Sequence, residues 1–338
     1  TPNFLIFKKN PKNKNPLSIQ KITLLNTDLT IKKGLSMLDL DWNLTRSIIS
    51  INNNTYTVNI NSFSKKLAVG ITDYMNAKKI DFTAKAQITK DKIKIVESNL
   101  DIEDILLKVK GNILNGNMLD LEVTGKDQEI NQIITHLPEN IKNVCTPFIA
   151  NGKITFNSVL KGLINKENNP LLQMEYEVLE GNFKLRSIPF ELNNISMNGK
   201  LSNGKDRNFN STKIVSNLFK AKTKKGDING QFTLTNLNNY FLNSQFESSW
   251  DLTEINQYFK DSPFIGLKGK LFTTTNYKGN ITFDSLFKKR FLNANHKSDL
   301  KLKNVKFNYQ EFPLNFTMEL VDCKIKNHKI LVNSYEST

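Results

Sequence analysis

Apolar and polar residues alternate along most of this chain, in short runs separated by polar breaks. Ile22 and Leu24, then Leu29 and Ile31, are followed by Leu38, Leu40, Trp42 and Leu44, and then by Tyr56, Val58 and Ile60. Leu67, Val69 and Ile71 continue the series, with Ile80, Phe82, Ala84, Ala86 and Ile88 after them. Ile93 and Ile95, then Leu107, Val109, Gly111 and Ile113, then Leu119, Leu121 and Val123 close the first stretch. A period of two predicts strands with one buried and one wet face. Asn52-Asn53-Asn54 and Lys90-Asp91 suit hairpin turns, and Asn26-Thr27-Asp28 suits a turn or bulge. Strand follows strand with no helix between, which predicts an antiparallel meander.

At Gln128 the period changes. Ile130, Ile133, Ile134 and Leu137 fall on one face of a short helix, predicted over 128–137 and ended by Pro138. A related stretch follows, with Thr253 as expected N-cap and Ile255, Tyr258 and Phe259 on one face of a helix over 253–260. Both stretches combine Ile-Asn-Gln, Pro-Phe-Ile and Gly-Lys in the same order, and both following runs close on Lys-Gly, at Gly162 and Gly279. Such ordered similarity marks a diverged repeat, with a period near 120 residues. Each helix is too short to stand alone and is expected to cap or plug the sheet at a seam.

The repeat divides the chain into a proline-rich lead-in (1–16), a first β module (17–145), a second (146–262) and a partial third (263–338). In the second module Ile154, Phe156, Ser158 and Leu160 alternate, then Met174, Tyr176 and Val178. A turn is expected at Glu180-Gly181-Asn182, before Phe183 and Leu185. Ile195 to Leu201 reads as a strand, a polar loop leads to Ile214, and Ile228 to Leu234 and Phe241 to Phe246 complete the module. The third runs through Leu271, Leu300, Leu302, Val305, Phe307 and Leu314 to Leu320, with the 285–295 segment open between helix and strand.

Composition narrows the function. Of 338 residues, 38% are hydrophobic and 23% charged, enough apolar material for a sizeable core. The net charge of +15 comes from lysines spread singly between apolar residues, as in Lys90 to Ile95, which reads as a solvated outer face. No basic cluster is interleaved with aromatics, so nucleic acid is not an expected partner. Cys145 and Cys323 offer no metal or redox spacing, and His136, His296 and His328 lack partners at triad or metal spacing. Glu103-Asp104 and Asp120/Glu122 read as turn and outer-face residues, and no glycine-rich phosphate loop is present. The expectation is a non-enzyme without cofactor or metal.

The predicted fold class is all-β: an elongated, curled antiparallel sheet built from diverged repeats, with short boundary helices. Its apolar face either closes into a core or stays open as a gutter. Alternation selects Ile154, Phe156, Leu160, Met174, Tyr176, Val178, Phe183, Leu185, Phe232 and Leu234 as candidate lining residues. An open face of this kind suits lipid acyl chains.

The run Leu119 to Asp127, the boundary helix ending Leu137-Pro138, and the Gly152-to-Gly162 strand that closes on Lys-Gly follow in an order that resembles the AsmA-like proteins. These are related to the TamB group, and the form here is similar to that of Bacteroidota. Pro170 ahead of Met174 to Val178, and the Gly181-Asn182-Phe183 turn, extend the likeness. The resemblance implies a bridge-like lipid-transfer groove in the periplasm, handling phospholipid or glycolipid for transport or outer-membrane biogenesis. It also implies an N-terminal inner-membrane helix that this stretch does not contain, hence a segment of a longer protein. The alternative is a structural or adhesive β-repeat with a closed core and no lipid.

Overall fold

The computed structural model describes residues 19–33, 38–69, 72–165, 167–187, 190–257, 262–282, 295–326 and 329–337. The lead-in 1–16 and the 285–294 stretch lie outside the described residues. Seven strands come first: β1 (Lys21–Lys33), β2 (Leu38–Asn52), β3 (Thr55–Val69), β4 (Thr72–Ile88), β5 (Lys92–Ile102), β6 (Ile105–Leu114) and β7 (Met118–Glu129). Two short helices follow, α1 (Ile130–His136) and α2 (Glu139–Cys145). Six strands come next: β8 (Phe148–Leu163), β9 (Leu171–Leu185), β10 (Glu191–Ser202), β11 (Lys213–Lys222), β12 (Asp227–Thr235) and β13 (Phe241–Asp251). After α3 (Leu252–Gln257) come β14 (Phe264–Asn280), β15 (Asn295–Tyr309), β16 (Phe312–Lys326) and β17 (Lys329–Ser337).

Every strand pairs antiparallel with the one before it, from β1–β2 to β16–β17, in one 17-stranded meander that does not close into a barrel. The pairing passes through both helical seams, β7 to β8 and β13 to β14, without a break. Among the described residues no second layer covers the apolar face. The helices pack at the seams, α1 on β7 and β8 and α3 on β13 and β14.

The sheet covers itself by curling. The Tyr240 hydroxyl, in the turn before β13, donates to the carbonyl oxygen of Val144 in α2 at 3.3 Å. β8 and β13 stand five strands apart, a separation of about 24 Å in a flat sheet. Phe190, just ahead of β10, likewise meets Trp250 of β13 at 6.4 Å between ring centres.

Bulges supply the bend. Asp127, Glu180, Asn194 and Asn304 adopt positive φ where the register shifts inside strands, and an extra residue on one strand kinks it and raises its local twist. At the two seams the same device recurs: Gly152 (φ 116) lies across from Glu180 (φ 52), and Gly269 (φ 127) across from Asn304 (φ 53). The repeat seen in the sequence is therefore a repeat of backbone shape.

The curl leaves the sheet open. The accessible surface of the whole chain is 21903 Å², against about 14,000 Å² for a compact protein of its mass. Among the described residues, Ile80 and Val305 are the apolar side chains with less than 2% exposure.

Some local expectations change. Glu180-Gly181-Asn182 is a bulge within the continuous strand β9, not a turn. Gln128 still belongs to β7, where its side-chain oxygen accepts the Leu106 N–H at 2.8 Å, so the helix starts two residues later. The cap of α3 is Asp251, whose carboxylate accepts the Thr253 N–H at 2.9 Å, rather than Thr253 itself. Tyr258 and Phe259 lie outside the described residues. The polar loop before Ile214 leads into a strand, β11, that the sequence reading passed over.

Seam glycines should be the sensitive points of this backbone. A Cβ on residue 152 would stand 2.6 Å from the Gly181 Cα, whereas one on Gly266 (φ 65) meets nothing within 4 Å. Urea unfolding should show Gly152→Ala losing about 2–3 kcal/mol and Gly266→Ala about 1 kcal/mol.

Candidate functional site: an apolar groove

All ten candidate lining residues point to one face. On β8 and β9, Leu160 lies opposite Leu172, Phe156 opposite Tyr176 and Ile154 opposite Val178. Across the next ladder Met174 faces Leu201, Val178 faces Met197 and Phe183 faces Leu192. Phe232 and Leu234 of β12 face Ser216 and Ile214 of β11, and Ser244 and Leu242 of β13. Depth varies among them. Tyr176, Val178 and Leu185 are buried, while Ile154, Phe156, Leu160, Met174, Phe183, Phe232 and Leu234 are partly accessible.

The sequence reading missed the bridge between the two groups. Phe219 and Ala221 of β11 pack with Leu192, Ile195 and Ile228 in a buried cluster flanked by Met197, Phe246 and Trp250. Phe219, Phe232 and Phe246 form an aromatic trio with centroid distances of 5.9, 5.7 and 6.4 Å. The missed signal is a two-phase alternation in β11. Ser216 and Phe219 are both inward because Asn217 and Leu218 share a bulge.

Several serines on this face are turned back on the backbone. The Ser158 hydroxyl donates to the Val123 carbonyl at 2.9 Å, Ser98 to Val109 at 2.7 Å and Ser62 to Ile80 at 3.1 Å. Ser216 donates to the Asn198 and Leu218 carbonyls. These hydroxyls are occupied, so their stretches of the floor present mainly C–H surface, whereas the Ser244 hydroxyl opposite Phe232 has no partner among the described residues. Tyr176 follows the same rule, donating to the Val215 carbonyl at 3.1 Å.

The outer face is the opposite. Lysines and carboxylates face each other across strands, as in Lys110–Glu122 at 3.1 Å, Lys200–Glu175 at 2.6 Å and Lys270–Asp251 at 3.3 Å. Hydrogen bonding to Lys200, and then its charge, hold the Glu175 carboxyl below the usual range. Exposed pairs of this kind contribute about 0–1 kcal/mol each. They fix strand register and hydration more than stability.

Chemistry-bearing groups are scattered. His136 lies on α1, its pKa lowered first by burial and then by the Lys78 charge. His296 is buried opposite Tyr277, and His328 lies outside the described residues. Cys145 is half-buried and Cys323 buried on the apolar face, both with thiol pKa raised by burial. Glu103 and Asp104 form the β5–β6 turn, both at positive φ. Among the described residues no group of His, Cys, Asp and Glu could hold a metal, and no helix is long and apolar enough to cross a membrane.

No family model, curated protein or solved structure matches the chain. The resemblance to the AsmA-like proteins therefore rests on the sequence motifs alone.

Tyr176 offers a probe of the groove floor. Burial pushes its phenol up from 10.0 to about 12. The unfolded chain ionises it sooner, so the stability it contributes is present below pH 10 and is lost as pH rises through about 12. Titration at 295 nm should show a late-ionising tyrosine that disappears in Tyr176→Phe.

Proposed function

We propose that this chain is a non-enzymatic lipid-handling segment whose apolar groove shields the acyl chains of phospholipid or glycolipid. The observation that carries the reading is the apolar face, which no second layer covers among the described residues and on which seven of the ten candidate residues stay partly accessible. It runs across successive strands on one side of the sheet. Large contiguous apolar surfaces of this kind mark interaction sites.

Transfer along such a groove requires no chemistry. Each methylene gains about 0.8 kcal/mol on leaving water, and a groove of even character returns that gain at every position. A chain can then slide with little net cost per step. The internally bonded serines favour this, because they offer a passing acyl chain few free polar atoms to desolvate.

The resemblance to AsmA-like proteins supports a periplasmic setting, with an inner-membrane anchor contributed by a segment outside these residues. That setting, and a part in outer-membrane biogenesis, belong to the proposal. The lysine-rich outer face would meet anionic headgroups at the rim without entering the groove.

The residues suited to testing it differ in depth. Leu160 and Met174 are partly accessible and can carry a charge that repels lipid while reaching water. Tyr176 is 8% exposed and hydrogen-bonded, so Tyr176→Asp should unfold the sheet locally, costing about 3–5 kcal/mol. Native mass spectrometry of gently purified protein should show bound lipid. Leu160→Asp combined with Met174→Asp should lose it while keeping the circular dichroism of the parent. Protein that carries no lipid in any detergent-free preparation, or a double variant that unfolds as Tyr176→Asp does, would favour the closed-core structural reading.

A further inference from the structure

The ten candidate lining residues lie on β8, β9 and β12, an arc bordered by β8 on one side and β13 on the other. α2 leads into β8, and Tyr240 sits in the turn leading into β13. The 3.3 Å bond from the Tyr240 hydroxyl to the Val144 carbonyl therefore ties the two borders of the arc together.

The two sides of this tie differ in firmness. Tyr240 is backed by Tyr277 and Ile281, with Leu234 and Leu242 beside them. Its phenol is partly desolvated, which raises its pKa, and the neighbouring Cys145 adds to the shift. α2 has seven residues, and its main packing partner is α1 rather than a strand. α1, by contrast, packs on β7 and β8, and the Lys78 amine of β4 donates to the His136 carbonyl at its end. Between the helices, Leu137 (φ −64, ψ 151) and Pro138 (φ −53, ψ 145) form an extended link. A fixed helix, an extended joint and a lightly held helix follow one another along the chain.

We infer that α2 is a lateral gate on the groove, latched by Tyr240. The inference rests on the reading of the groove as an acyl-chain site. The Val144 carbonyl belongs to the last turn of α2, where carbonyls have no partner within the helix. The tyrosine hydroxyl satisfies one such carbonyl when the gate is shut, and water can do so when it tilts outward. The exchange is therefore nearly balanced, as an opening step requires. An acyl chain would enter sideways between α2 and the β12–β13 turn, with no need to thread from the end of the sheet.

Cys145 makes the gate testable. In a Cys323→Ser background it is the sole thiol of the chain, and Tyr240→Cys adds a second across the latch. A short bismaleimide should join residues 145 and 240 and hold the gate shut. Uptake of cis-parinaric acid, followed by its fluorescence, should then be about tenfold or more slower than in the unlinked protein. Cys323→Ser protein treated with the same reagent, carrying only Cys145, is the control and should load normally. Tyr240→Phe removes the latch bond and should load about fivefold faster, with unchanged final occupancy. Equal loading by linked and unlinked forms overturns the gate while leaving the groove intact. Absence of loading in every form, the unmodified protein included, overturns the acyl-chain reading and the gate with it.

Discussion

A sheet with one apolar face and no second layer must hide that face by bending. Everything distinctive in this molecule depends on that constraint. The described helices are short and pack mainly at the seams, so the bend has to come largely from the strands. It is supplied by αL residues at bulges in the ladders, at Asp127, Glu180, Asn194 and Asn304. The abundance of asparagine then gains a structural sense. Its short amide side chain tolerates positive φ better than most residues, and it serves at bulges and also in turns such as Asn53 and Asn115. A partial bend also explains why buried and accessible apolar residues alternate along one face. Val178 and Tyr176 sit where the walls approach, and Leu160 and Met174 where they part.

Much of this was legible in the sequence, because period-two alternation reports directly on which side of a strand a residue takes. The ten candidate residues share a face for that reason. What the pattern could not report was a change of phase. β11 carries its inward residues as Ile214 and Ser216, then Phe219 and Ala221, and the extra residue between the pairs hides the strand from any strict alternation. Glu180 misled in a different way, since a Glu-Gly-Asn triplet has turn chemistry whether it ends a strand or bulges within one.

The helical seam illustrates a further limit. Pro138 rightly ended α1, yet the same proline, in extended conformation, also precedes the first turn of α2. A residue that cannot continue one helix is well suited to begin the next. Depth within the groove was also beyond reach. It depends on contacts such as Phe190 with Trp250 and Tyr240 with α2, which link positions far apart in the chain. These long-range contacts draw apolar residues that are distant in the chain to one curled face.

Because each strand bonds only to its neighbours in sequence, the architecture has no preferred length. Adding or deleting a hairpin inserts or removes two strands, preserves the direction of every strand beyond it, and keeps the same side chains facing inward. Stability then accumulates ladder by ladder instead of residing in a single nucleus. A sheet built this way changes its length by duplication of hairpins alone, at about 10 Å per added pair. No requirement of the fold imposes a stop, so its extent is set by the number of hairpins alone.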